Sequence, residues 1–197
     1  MEKLNINGLE FMGDNVRDKL KKCGDGVRLY PLCKIIRGEN AELDNESKIL
    51  DYVFIDAGKG FKLGKYSIVT WNALIEGGAK ASIGDRVFIG PGSKILTGTY
   101  QLHDYYSAEF LPEGCNAISY GDVTIKDDAY IGANAVVMPG VTIGEGAVIG
   151  ANTFVDKDIE PWTINVGSPC RCVGERRRPS KEKTDKLLKD IDWSNHL

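Results

Sequence analysis

Residues Ile125–Phe154 read IKDDAY, IGANAV, VMPGVT, IGEGAV, IGANTF, and Val155 opens one more set, VDKDIE. Every sixth residue is aliphatic: Ile125, Ile131, Val137, Ile143, Ile149 and Val155. Four places further on in each set stands a small or branched side chain: Ala129, Ala135, Val141, Ala147, Thr153 and Ile159. A step of six fits neither the helical period of about 3.6 nor the strand period of about 2, so it marks a structural repeat.

The same register runs upstream. Leu63, Val69 and Ile75 begin hexads, and after a slip of two residues so do Ile83, Ile89 and Ile95. In ten of these twelve hexads the fourth residue is Gly, Asn or Asp. Those types tolerate positive φ and therefore mark corners. Strand, corner, strand, corner, with one large and one small inward side chain per side, predicts a narrow parallel β-helix in which three hexads make a triangular turn. One turn cannot bury its own core, so the turns must stack, about 4.8 Å apart, into a short prism of five or six turns.

The chain has 197 residues, which fits one domain with small additions. Hydrophobic residues make up 42% and charged residues 27%, with a net charge of −3. That balance gives no general attraction to nucleic acid or an anionic membrane. No run of about 18 apolar residues occurs, and MEKLNINGLE does not read as a signal peptide, so a cytoplasmic location is expected. Five irregularly spaced cysteines fit reduced thiols.

Residues 1–26 lack the hexads and read as a cap segment, with Asp14 starting a short helix through Lys22 that Gly24 ends. Residues 27–174 read as the β-helix. Its first part, to residue 62, is irregular: Leu43, Ile49 and Ile55 keep the sixfold step and Gly58-Lys59-Gly60 breaks it, as a bulged corner does. The register stops at Tyr100 and returns near Val123. The stretch 101–122 is too long for a corner, and its Tyr105, Tyr106, Phe110 and Leu111 call for a surface to pack on, such as a neighbouring subunit. Residues 175–197 form a polar tail in which Lys181 to Ile191 has helical character.

The sequence holds two histidines, and His196 is next to the last residue. That leaves His103, in the long loop, as the general-base candidate, since a free imidazole titrates near neutrality. Cys115, in the same loop, would need a nearby base to act as a thiolate, and Cys170-Arg171-Cys172 has no further ligands beside it, which argues for packing rather than a metal.

These hexads resemble the hexapeptide-repeat acyltransferase family, whose members form a left-handed parallel β-helix. The run Thr97-Gly98-Thr99 through His103-Asp104, with Ser107 and Phe110 behind it, resembles the loop of the sugar O-acetyltransferases of that family, of the colanic-acid and galactoside types. Tyr100, Gln101 and Leu102 lengthen it relative to the usual pattern. Val166-Gly167-Ser168-Pro169-Cys170-Arg171 resembles the family's closing motif. The resemblance implies acetyl transfer from acetyl-CoA, with no metal, to a sugar or nucleotide-sugar acceptor in surface polysaccharide synthesis. It implies His103 as the base, Asp104 and Asn72 near the acceptor, and Gly132, Ala133, Gly150 and Ala151 along the CoA chain. It also implies Lys157 and Arg171 at the CoA phosphates, with Arg176, Arg177 or Arg178 as a further cation, although Asp156 is an unusual neighbour for a phosphate. Family members are homotrimers, with each active site between two prisms. Asn72 and Asp104 have simpler readings, as a corner residue and a solvated loop acid. The main expectation is O-acetylation. The alternatives are N-acetylation of a nucleotide-linked amino sugar, which needs less from a base, and a non-catalytic assembly scaffold. Serine acetylation is disfavoured because the long N-terminal helical domain of those enzymes is missing.

Overall fold

The computed structural model describes residues 17–108 and 111–189. Its strands form three flat faces that the chain visits in rotation. The first face stacks Lys22–Cys23, Ala41–Leu43, Gly60–Leu63, Lys80–Ile83, Val123–Ile125 and Thr142–Ile143. The second stacks Arg28–Leu29, Lys48–Ile49, Ile68–Val69, Phe88–Ile89, Tyr130–Ile131, Val148–Ile149 and Thr163–Val166. The third stacks Lys34–Ile36, Phe54–Asp56, Leu74–Glu76, Lys94–Leu96, Val136–Val137 and Phe154–Val155. All these pairings are parallel, so the chain is a β-helix of six complete turns with the start of a seventh.

Burial follows the hexads. Leu43, Leu63, Ile83, Ile125 and Ile143 lie in register on the first face and are sealed from water, as are Ile49, Val69, Ile89, Ile131 and Ile149 on the second. Each column is a ladder of branched aliphatic side chains, and burying each such side chain contributes about 1.5–3 kcal/mol. The corners follow the hexads too. Ten of the twelve fourth positions take positive φ, including Tyr66 and Arg86, where the residue type does not ask for it. Tertiary stacking has overridden local preference at those two.

The irregularity of the early turns has one cause. Registered partners are 20 residues apart from Leu43 to Leu63 and from Leu63 to Ile83, but 18 apart from Ile125 to Ile143. The two extra residues always fall where the third face turns into the first: Gly38–Asn40 forms a single 3₁₀ turn there, and Gly58 and Gly78 follow at the same place with positive φ. The two-residue slip before Ile83 and the break at Gly58 are this one feature.

The beginning of the chain departs from expectation. The anticipated helix from Asp14 lies largely outside the described residues, and its expected end is not helical. Lys22–Cys23 is a strand registered on Glu42 and Leu43, so the β-helix starts at residue 22 rather than 27. The pairing edge offered by Ala41–Leu43 outweighs a helix with only two apolar anchors. At the other end, Arg171–Glu175 folds back antiparallel on Thr163–Val166 and closes the second face. A helix, α1, spans Lys181–Lys189. His196 and the expected helix end at Ile191 lie outside the described residues.

Candidate active site

The stretch 101–122 is part of a hairpin arm. It leaves the corner between the third and first faces, the 3–1 corner, on the fourth turn. Gly98–Tyr100 pairs antiparallel with Ile118–Tyr120, and the ribbon continues through Gln101 N–H to Ala117 O and Tyr106 N–H to Cys115 O. Its root is fixed by Thr97, which is buried: the hydroxyl accepts from Ala79 N–H at 3.2 Å and donates to Glu76 O at 3.1 Å. Lys59 lies 5.8 Å from the Tyr120 ring centroid and braces the arm from one side. Beyond the root every residue from Gln101 to Ala108 is exposed, so the arm stands off the prism. His103 and Asp104 sit on it, Asp104 with φ of 66°. No hydrogen bond joins the two among the described residues, so Asp104 does not hold the imidazole within one chain. Phe110 lies outside the described residues.

Asn72, Gly132, Ala133, Gly150 and Ala151 occupy a different edge, where the second face turns into the third. On this 2–3 corner the tip residues of successive turns are Asp51, Trp71, Pro91, Ala133 and Ala151. The turns approach closely: a Cβ on Gly90 would lie 2.7 Å from Ala133 N, and one on Gly132 would lie 2.5 Å from Ala151 N. Glycine is required at both places.

From Pro91 onward the tip amides distinguish this edge from the corner between the first and second faces, although at its other end Leu32 N–H still donates to Asp51 Oδ1 at 2.9 Å. At the corner between the first and second faces the tip amides of Lys65 and Asp85 donate to Asp85 Oδ1 at 2.8 Å and Asp127 Oδ1 at 2.9 Å, one turn further on. At the 2–3 corner the equivalent residues Pro91, Ala133 and Ala151 have no side-chain acceptor to offer. The amides of Ala133 and Ala151 have no hydrogen-bond partner among the described residues, and both residues are accessible to solvent. Two outward N–H groups one turn apart suit the amide carbonyls of an extended pantetheine arm.

The closing segment brings Arg171 to the foot of the same edge, where it is registered on Val166 and exposed. Lys157 stands elsewhere, on the 3–1 corner beside the buried Cys170, whose thiol is pushed up mainly by burial and eased by the Lys157 charge. Arg176 does not join the cations at the foot. It donates to Asp128 O at 2.7 Å and Gly146 O at 3.1 Å, and lies 5.7 Å from the Trp162 ring centroid. Arg178 lies 5.1 Å from the same ring. Both therefore hold the tail on the corner between the first and second faces, at the far side of the second face from Ala151.

One chain thus brings together on one edge the donor amides of Ala133 and Ala151, Asn72 and Arg171, and holds His103 and Lys157 on another. A groove of about 530 Å³ opens on the first face between Lys126, Asp127, Glu145, Asp158 and Glu160, and its carboxylates suit neither a phosphate nor a thioester. Among the described residues no group of three or more His, Cys, Asp or Glu is placed to hold a metal, and no helix is long and apolar enough to cross a membrane.

Comparison with known proteins agrees with this architecture. Residues 122–157 match the family model of the bacterial transferase hexapeptide (six repeats). The chain is 29% identical over 164 residues to dTDP-4-amino-4,6-dideoxy-D-glucose acyltransferase of Escherichia coli, covering 80% of this chain and 83% of that protein. Among solved structures it is similar to AntD, an N-acyltransferase from Bacillus cereus crystallised with dTDP and 3-hydroxybutyryl-CoA. The TM-score is 0.81 at 22% identity, over 93% of this chain and 98% of that one. It is also similar to a hexapeptide-repeat acetyltransferase of Vibrio cholerae crystallised with acetyl-CoA, with a TM-score of 0.62 at 24% identity over 87% and 81% of the two chains. The coil is the parallel β-helix expected from the hexads, with the left hand that the family resemblance implies.

Proposed function

We propose that this protein is an acyl-CoA-dependent N-acyltransferase that acylates the amine of a nucleotide-linked amino sugar. The observation that carries this reading is the similarity to two proteins of that acceptor class, each matched over more than four-fifths of its length. It displaces O-acetylation of a plain sugar, the first expectation from the arm motif, in favour of the N-acylating alternative. The unpaired corner amides of Ala133 and Ala151 and the exposed Arg171 argue against a silent scaffold.

In this reading the CoA chain runs along the 2–3 corner. Its phosphates meet Arg171, a planar fork of donors suited to them, and its pantetheine carbonyls accept from Ala133 and Ala151 N–H. The thioester then points toward the Pro91 turn and Asn72. The acceptor amine attacks the thioester carbonyl. As the C–N bond forms and the C–S bond breaks, His103 takes the proton released from nitrogen and returns it to the departing thiolate. His103 and Lys157 reach that corner from a neighbouring copy, so the working unit is a homotrimer. Two features favour self-association. An outward row of Ile68, Phe88, Tyr130, Val148 and Ile164 runs down the second face, with the Phe88 and Tyr130 rings stacked at 5.1 Å. The arm also presents Tyr106, which is 73% exposed.

The test is thiol release from acetyl-CoA over a panel of dTDP-linked amino sugars, their deaminated hydroxyl counterparts, free amino sugars and neutral sugars. Release confined to nucleotide-linked amines is the expected result. Release with hydroxyl acceptors at equal or greater rate overturns the reading in favour of O-acetylation.

A further inference from the structure

The 2–3 corner changes character along its length. Toward the C-terminal end its tips are Ala151 and Ala133, small and with free amides. Past Pro91 the same edge carries Trp71, then Tyr52, then Leu32 and Tyr30, all exposed. Trp71 is 51% and Tyr52 62% exposed, and neither ring packs on another ring among the described residues. Exposed aromatics on successive turns of one edge add nothing to the core of the prism.

Tyr52 carries a further cost. It occupies the corner position with φ of 61°, where the turns below place Asn72, Gly92, Asn134 and Asn152. A bulky residue in the left-handed region is disfavoured, whereas Asn and Gly accept it. At this site the chain bears strain that leaves an aromatic ring outside. A cation stands at the junction between the small and aromatic halves: Lys94 Nζ donates to Gly92 O at 3.1 Å, on the turn above Ala133. Lys34, on the third face beside the aromatic end, lies 5.8 Å from the Phe54 ring centroid and is exposed.

The spacing suits one ligand class. With turns about 4.8 Å apart, Trp71 is one turn, roughly 5 Å, beyond the Pro91 tip along the edge and Tyr52 two turns, roughly 10 Å. A sugar amine held at the Pro91 turn, near the thioester, has its diphosphate and base trailing over that span. An aromatic platform beyond a lysine offers a diphosphate its counter-charge and a nucleobase a stacking surface.

We infer that Trp71 and Tyr52 form the nucleobase subsite for the acceptor, with Lys94 at its diphosphate, so that donor and acceptor lie end to end on a single edge of the prism. This inference rests on the nucleotide-linked acceptor proposed above.

The experiment measures dTDP affinity by calorimetry on the full chain, for wild type and for Trp71→Leu, Trp71→Phe, Tyr52→Asn and Lys94→Ala. Acetyl-CoA affinity and solution mass are measured alongside. Base stacking leads us to expect Trp71→Leu and Tyr52→Asn to weaken dTDP by about tenfold or more, with Trp71→Phe close to wild type. Acetyl-CoA affinity and mass stay unchanged. Tyr52→Asn restores the residue type of the neighbouring corners and does not threaten folding. If wild type binds dTDP and the aromatic variants bind it equally well, the subsite is refuted and the acceptor class stands. If Trp71→Leu lowers the solution mass, the ring belongs to a contact between copies and the inference falls. If wild type binds acetyl-CoA but not dTDP, the nucleotide-linked acceptor itself is lost, and the subsite with it.

Discussion

Arg86 stands directly over Asp128, although 42 residues separate them. Arg86 Nε donates to Asp128 Oδ1 at 2.7 Å and Nη2 to Oδ2 at 2.9 Å. Both occupy the same corner position on consecutive turns, with φ of 56° and 60°. The hairpin arm leaves and rejoins the prism between those two turns. The pair therefore locks the last turn before the arm to the first turn after it, in the same register as the uninterrupted turns.

Removing either partner should loosen this junction. Each side chain is about 30% exposed, and a bidentate charged hydrogen bond of this kind contributes about 2 kcal/mol. We expect Arg86→Ala and Asp128→Ala each to lower unfolding free energy by about that amount in urea titrations. The double variant should be little worse than either single, since both delete one interaction. Additive losses would contradict the pairing.

His103→Ala tests the base assignment. An amine acceptor needs less assistance than a hydroxyl, so the expected fall in kcat is about a hundredfold, at the low end for general-base catalysis. Acetyl-CoA affinity and solution mass should hold. A variant with near-wild-type turnover removes His103 from the mechanism.

Pro91 shows that the tip position of the 2–3 corner accepts proline. Ala133→Pro and Ala151→Pro should therefore fold with an unchanged Tm while deleting one N–H each. A net hydrogen bond of about 1 kcal/mol corresponds to roughly a fivefold rise in Kd for acetyl-CoA. Undiminished affinity in both variants would show that the CoA chain lies elsewhere.

Arg171→Ala should weaken CoA more than a CoA analogue lacking the 3′-phosphate, because the guanidinium is assigned to that group. Titrations of both ligands against wild type and variant give the comparison. Equal losses would remove Arg171 from the 3′-phosphate.

Cys33 is sealed from water, and its thiol is pushed up to about 11, first by burial and then by the Asp51 charge. The folded chain keeps this proton where the unfolded chain loses it. The stabilisation is complete below the ordinary thiol value of 9.0 and is lost as pH rises through about 11. We expect a thiol reagent near neutral pH to label Cys23 and Cys172, which are exposed, and to spare Cys33 and Cys170 until unfolding. Cys33→Ala should flatten the decline of stability between pH 9 and 11. Rapid labelling of Cys33 in the native state would contradict its burial.

The hexad spacing alone determined the class of fold, which residues point inward and where the corners lie. Burial of Ile125, Ile131 and Ile143 and positive φ at Asn134 and Asn152 depend on residue type at a short, regular interval, and such patterns are local. The family resemblance likewise named His103, the corner glycines and Arg171 from short motifs. Only the stacked structure decided which edge each residue occupies. It assigned Ala133 and Ala151 to one corner and Lys157 to another, turned a structureless-looking loop into an antiparallel arm, and diverted Arg176 to Trp162. It also aligned Trp71 and Tyr52 above the free amides, although nothing in the hexads marks those aromatics. These outcomes depend on which residue lies one turn above or below, across 18, 20 or 42 positions of sequence. Hydrogen bonding between turns sets that relation, and no local pattern carries it.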